Sequence, residues 1–415
     1  MLALRLARAA HPLVQLRRLL VATASAGTGF LLLCTLGQAM AHPEASSGSA
    51  LRLAWCLAPL AATVYFAVAV ARTDPGTRPR SGLAAIGLGP GRLMALSAAT
   101  TALSTALGSL LALLAFLHVR GDLPGGALGN RAAEFLAADQ PLPLPAALTL
   151  LAAVPVTASL ASALVLRPRD ERPRRAARPG ADTHASSDTA DTPDAQESGR
   201  PGAAPDPDRP AAPRAVPGGL PWGVAAIAAG LAVETYTGRT VKAPGPRLPG
   251  GLTGGPAGVP LGWALTALGL ALAGPALTYL CGWLLQAVRP GAVRLLAGRG
   301  LQQEAGRIGR PLGVVCAVAS GAYATARLTI GTHPSFGPLT ALGAVLVAGC
   351  ALATLATAAI ESRQARADTI AALVRLGAPT TLLRTAALLR TAVPVAVFAP
   401  LTWAVAELAA LPLTG

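Results

Sequence analysis

The chain has 415 residues, of which 53% are hydrophobic and only 13% charged, with a mean hydropathy of +0.52. That balance excludes an ordinary water-soluble globule, and several apolar runs reach the roughly 17–25 residues with which a helix crosses a bilayer. The net charge of +15 is nearly all arginine, Lys242 being the single lysine, and the arginines gather at the ends of apolar runs as positive-inside topology requires, so the charge is read as topology and not as a nucleic-acid surface.

Residues 1–18 carry Arg5, Arg8, Arg17 and Arg18 among leucines and alanines, with Pro12 as a break, and read as a basic amphipathic helix at the cytoplasmic face. The apolar run that follows, Leu19 to Ala41, exceeds the roughly 7–15 residues of a signal-peptide core and is read as span 1, N-terminus inside. Span 2 is expected over Leu51–Ala71, a cytoplasmic stretch over 72–93, and span 3 over Leu93–His118. Span 3 carries Thr100, Ser104 and Gly108 at four-residue spacing, a pattern that lets helix backbones approach in lipid; a hydroxyl-lined substrate path is the functional alternative. After a mixed-charge loop, span 4 is expected over Ala146–Leu166, kinked at Pro155.

Residues 167–218 change to Pro, Ala, Asp, Arg, Ser and Thr, a composition that cannot bury enough surface to fold and predicts a disordered cytoplasmic linker. Spans 5 (Gly219–Tyr236) and 6 (Leu261–Val288) follow, separated by an outer loop whose Lys242 and Arg247 mildly oppose this orientation. A second basic segment, 289–310, precedes span 7 (Pro311–Ile330), span 8 (Leu339–Ile360), a second cytoplasmic stretch (361–390) and span 9 (Thr391–Leu413).

The two cytoplasmic stretches repeat. A shift of 288 positions superposes Arg78 on Arg366, Ile86 on Val374, Leu88 on Leu376 and Gly89 on Gly377. The surrounding order also recurs, since Arg5 to Leu88 is 83 positions and Arg294 to Leu376 is 82. The expectation is an all-α polytopic membrane protein of about nine spans, built as a parallel duplication without a large extracellular domain. Its segments are a first half (1–166), the linker (167–218), two intervening spans (219–288) and a second half (289–415).

Catalytic chemistry finds no foothold in the residues. Lys242 follows Thr240-Val241 and cannot serve a P-loop, the five histidines lack metal spacing, and all five cysteines lie in apolar runs without CxxC spacing. No cofactor or metal is expected in the chain. Glu234 and Glu407 are placed toward the outer ends of spans 5 and 9, and Glu361 at an inner end, where water access makes charge inexpensive.

The second stretch, Glu361-Ser362-Arg363-Gln364-Ala365-Arg366 followed by Val374-Arg375-Leu376-Gly377-Ala378, resembles the FtsX-like (MacB-type) permeases of ABC transporters; Ile86-Gly87-Leu88-Gly89 is the weaker copy. The resemblance implies a plasma-membrane permease subunit, with ATP bound and hydrolysed by a partner ABC ATPase. Arg78, Ile86, Leu88 and Gly89, with Arg363, Arg366, Val374, Leu376 and Gly377, would then form its coupling surfaces. Pairing of the chain with itself or with a second permease is left open. Family members commonly carry a large extracellular domain after the first span or between spans 7 and 8, where the loops here (His42 to Ser49, and near Pro334) are minimal, and ten-span members add a tenth helix to the nine expected here. A non-transporting membrane scaffold of the same fold is the alternative from another class, and a secondary transporter the third.

Overall fold

The computed structural model describes residues 12–41, 46–73, 90–122, 141–167, 218–240, 258–287, 291–328 and 337–414. The apolar runs fold into helices α1 (Pro12–Ala41), α2 (Ser46–Trp55), α3 (Leu57–Thr73), α4 (Pro90–Arg120), α5 (Leu144–Leu166), α6 (Leu220–Thr240), α7 (Gly258–Ala287), α8 (Ala292–Leu328), α9 (Pro338–Arg375) and α10 (Thr380–Thr414). Prolines open α1, α4 and α9, at the one helical position where a missing N–H costs nothing. No strand occurs among the described residues. Among the described residues seven segments are long and apolar enough to cross a bilayer: α1, α2 with α3, α4, α5, α7, α9 and α10. The protein is an all-α, multi-pass membrane protein. Its outward leucines and valines, such as Leu103, Val345 and Leu388, present an apolar face suited to acyl chains.

The described helices fall in one contact unit, formed by residues 1–167 with 216–415. Side-chain pairings fix their relative directions. Ser25 on α1 donates to the Thr105 carbonyl on α4 (2.7 Å), and Gly29 lies beside Ala112, so α1 and α4 run parallel. On the other side, Ser320 on α8 donates to the Thr402 carbonyl on α10 (3.1 Å), and Tyr323 to Glu407 (2.9 Å), so α8 and α10 are parallel too. Helices α3 and α9 also run side by side in one direction, with Thr63 3.9 Å from Cys350 and the two helices jointly lining a cavity farther along. Through that contact α9 enters the core of the first half, where Cys350 packs with Val21, Phe66, Ala67 and Ala158.

Helices α6, α7 and α8 are joined by glycine. A Cβ on Gly282 would lie 2.7 Å from the Gly298 carbonyl oxygen, and one on Gly269 2.7 Å from the Gly223 carbonyl oxygen. Without side chains at these positions the backbones close on one another, which is how helices gain packing energy where lipid is as apolar as leucine.

Three expectations change. The basic segment 289–310 and span 7 are one helix: α8 runs unbroken through its basic residues and through Pro311. Exposed charge moves the solvent boundary along a helix without ending it, and neighbouring helices accommodate an internal proline. Likewise α1 includes Arg17 and Arg18, so the N-terminal basic helix and span 1 are continuous from Pro12 onward. The second cytoplasmic stretch forms no helix of its own, because residues up to Arg375 continue α9 and those from Thr380 begin α10. Residues 1–11, the linker from 168 to 217 and the loops holding Lys242, Arg247 and Pro334 lie outside the described residues.

Candidate functional site

Helix α9 has 38 residues and α10 has 35. At 1.5 Å per residue each is more than about 50 Å long, well beyond the roughly 30 Å hydrocarbon core. Both therefore project at the arginine-rich end of the molecule, hereafter the basic end, where Leu376-Gly377-Ala378-Pro379 joins them. The turn is dictated locally. Gly377 adopts φ +84°, a left-handed conformation that costs glycine nothing. Its N–H donates to the Val374 carbonyl (3.0 Å), and that of Ala378 to the Leu373 carbonyl (3.0 Å). These are the two bonds of a Schellman cap, and Pro379 then prevents the helix from continuing. The result is a rigid tip bearing Leu376, 84% exposed, with Ile370 and Val374 exposed behind it.

The two arms diverge from this tip, and α8 lies against both. Glu304 on α8 ties them together. Arg366 of α9 grips its carboxylate with Nε on one oxygen and Nη2 on the other, and Arg390 of α10 places Nη2 2.6 Å from Oε2. Glu304 is buried, and one carboxylate facing two guanidiniums in that setting makes a stiff, charge-assisted joint. One turn along, Arg307 and Glu361 approach to 3.9 Å. Gly300 gives Arg390 its room: a Cβ there would lie 2.8 Å from the guanidinium carbon.

Of the residues singled out from sequence, Arg366, Val374, Leu376 and Gly377 thus gather at the α9 arm and its tip, and Arg363 is exposed on the same arm. Arg78, Ile86, Leu88 and Gly89 lie outside the described residues. On α4 the buried stripe is Ser97, Thr101, Thr105 and Gly108. Gly108 meets α1, and an added Cβ would fall 2.7 Å from that of Ser25. Thr100 and Ser104 sit half-buried beside the stripe and return their hydroxyls to their own helix, at the Ser97 and Thr100 carbonyls.

Glu304 escaped the sequence reading because its partners are far along the chain and no short motif marks it. Glu234 was misplaced. It is 1% exposed, wedged between α6 and α7, with Oε1 accepting from Thr266 (3.4 Å) and Oε2 unbonded. Gly262 and Gly230 bring α7 against it, so that it is buried between helices and not at an open helix end. Glu407 pairs with Arg327 (3.5 Å) at the opposite end from the tip. Among the described residues no three His, Cys, Asp or Glu side chains converge as a metal site would need.

No protein-family profile, no curated protein and no solved structure matches this chain.

Proposed function

We propose that this chain is the permease subunit of an ABC transporter of the FtsX-like kind, in which a separate ATPase seats on the α9–α10 tip. The carrying observation is the tip itself. Two helices longer than a bilayer meet at a capped turn, expose leucine there, and are bound to one carboxylate on a third helix. Force applied at Leu376 would pass into α9 and α10 as rigid arms and through Glu304 into α8. The basic end is the cytoplasmic end in this reading, the N-terminus is inside, and the membrane is the plasma membrane. The parallel packing of α1 with α4 and of α8 with α10, each pinned by a serine on a threonine carbonyl, supports a duplicated architecture. Counting α6 and α8 as spans gives nine crossings of alternating direction.

The test is co-purification of the full-length chain with its partner, identified by P-loop peptides and by ATP hydrolysis. An apolar anchor buried on docking contributes about 1.5–3 kcal/mol, so Leu376→Asp should weaken capture at least tenfold, while Leu128→Asp in the loop after α4 leaves it unchanged. Full capture and full ATPase stimulation by Leu376→Asp would remove the reading.

One observation favours a second reading, an ion-coupled transporter. Glu234 is an acid buried among helices, with one oxygen unbonded beside a cavity of about 60 Å³ that Thr266 and Ser320 also line. Transport driven by an ion gradient without ATP, and abolished by Glu234→Gln, would establish it.

A further inference from the structure

Between α3, α5, α8 and α9, at the basic end, lies a cavity of about 560 Å³. That falls within the range of roughly 300–1,000 Å³ typical of small-ligand sites. Its rim and its walls differ in kind. Arg72 from the last turn of α3 and Arg307 and Arg310 from one face of α8 stand at the rim, all exposed. Arg72 and Arg310 reach the same cavity from two different helices, α3 and α8, with Tyr65 also in its lining. Among the described residues of the lining Glu361 is the one acid, and Arg307 approaches it to 3.9 Å. Val64 and Val68 of α3, Ala161 and Val165 of α5 and Ala358 of α9 make an apolar wall, interrupted by the buried Thr354 and Thr357.

A cationic rim over an apolar wall, placed where projecting helices leave the hydrocarbon, has the chemistry of one ligand class. We propose that this cavity binds an anionic phospholipid from the leaflet at the basic end. Its phosphate lies among Arg72, Arg307 and Arg310, and an acyl chain runs along the valines of α3 and α5. Basic recesses between membrane helices recognise anionic headgroups in this way. A zwitterionic lipid would bring its own cation beside the guanidiniums of Arg72, Arg307 and Arg310. A free phosphate would leave the apolar wall uncovered. Arg307 also pairs with Glu361, five residues before Arg366 on α9, so headgroup binding and the Glu304 joint share one end of α8.

The experiment is native mass spectrometry of the purified full-length chain, with phosphatidylglycerol, phosphatidylcholine and soluble glycerol phosphate as separate probes. Phosphatidylglycerol should be retained, with phosphatidylcholine and glycerol phosphate at least tenfold weaker. Each arginine near an anionic headgroup should count for about fivefold, so Arg72→Gln with Arg310→Gln together should lower phosphatidylglycerol retention about twenty-five-fold. Arg299→Gln on α8, a cavity helix, and Arg384→Gln on α10 remove exposed cations that do not line the cavity and should leave retention unchanged. Ala161→Phe keeps every charge and fills the wall, and should also lower retention. Equal retention of the two lipids, or of phosphatidylglycerol by wild type and the double variant, would overturn the proposal. So would saturation by glycerol phosphate at the lipid's concentration. Retention only after residues 168–217 are replaced by Gly/Ser would show the acidic middle of the chain's own linker as occupant, and would overturn it equally. No ATPase enters these measurements, so they stand or fall apart from the permease reading.

Discussion

The two ends of the duplication expected from sequence are held by different forces. In α1, α3 and α4 there is no acidic residue at all, and the helices meet through hydroxyls, small residues and apolar clusters: Ser25 on Thr105, Thr28 on Thr63 (2.8 Å), Gly108 on α1. In α8, α9 and α10 the same kind of serine contact recurs at Ser320, but the basic end is held by charge, with Glu304 between Arg366 and Arg390 and Glu361 near Arg307. Dispersion and neutral hydrogen bonds fall off over a fraction of an ångström and favour one seating. A charged joint acts over a longer range and can be re-made in a second geometry. The difference suits a first half that serves as frame and a second that moves on it.

Breaking the joint should have the largest effect. Glu304→Gln leaves two guanidiniums facing each other in a partly dry site, and losing one member of a buried charge group costs about 3–5 kcal/mol. Thermal unfolding in detergent should show that loss, and Glu304→Gln combined with Arg366→Gln should recover part of it if the joint is a coupled unit. Next comes the glycine seam. Gly309→Leu forces a side chain toward the Gly274 carbonyl and Pro275, at a cost of about 1–3 kcal/mol for overpacking. Gly349→Leu meets open space on α9 and should stay within about 0.5 kcal/mol of wild type. Smaller than the seam's effect are those of Ser25→Ala and Ser320→Ala, each about 0.6 kcal/mol for an interhelical hydrogen bond in a membrane protein. Similar values for these two would sharpen the likeness of the halves, and a large disparity would break it.

How far these features were legible in sequence depends on the range of the forces that make them. The turn at Leu376-Gly377 could be read because a helix cap is local: a glycine in the left-handed region with proline two residues on is written in consecutive letters. The apolar spans could be read for the same reason. Arg366 was noticed for its repeat and Arg390 only as the end of a basic stretch. That both close on Glu304 is a consequence of three-helix packing, and sequence periodicity carries no trace of it. The arginines of 289–310 mark a boundary in hydropathy that is no boundary in α8, because charge on an exposed helical face leaves the backbone hydrogen bonds intact. Glu234 was missed for the opposite reason. Its position along α6 suggested a wet end, whereas Gly262 on α7 lets that neighbour close over it.

The central claim, that the α9–α10 tip is an ATPase seat, is tested most directly by cross-linking from the tip. In a chain whose five cysteines are replaced by alanine, Leu376→Cys offers a single thiol at a position 84% exposed, and Leu376→Asp-type loss of stability is not a concern at so open a site. A short thiol-reactive cross-linker applied to inside-out membrane vesicles should give one adduct whose second component carries P-loop peptides, with yield changing when ATP is added. A thiol that reacts with an impermeant reagent from outside intact cells, or that yields no ATPase adduct in the vesicles, would contradict the account.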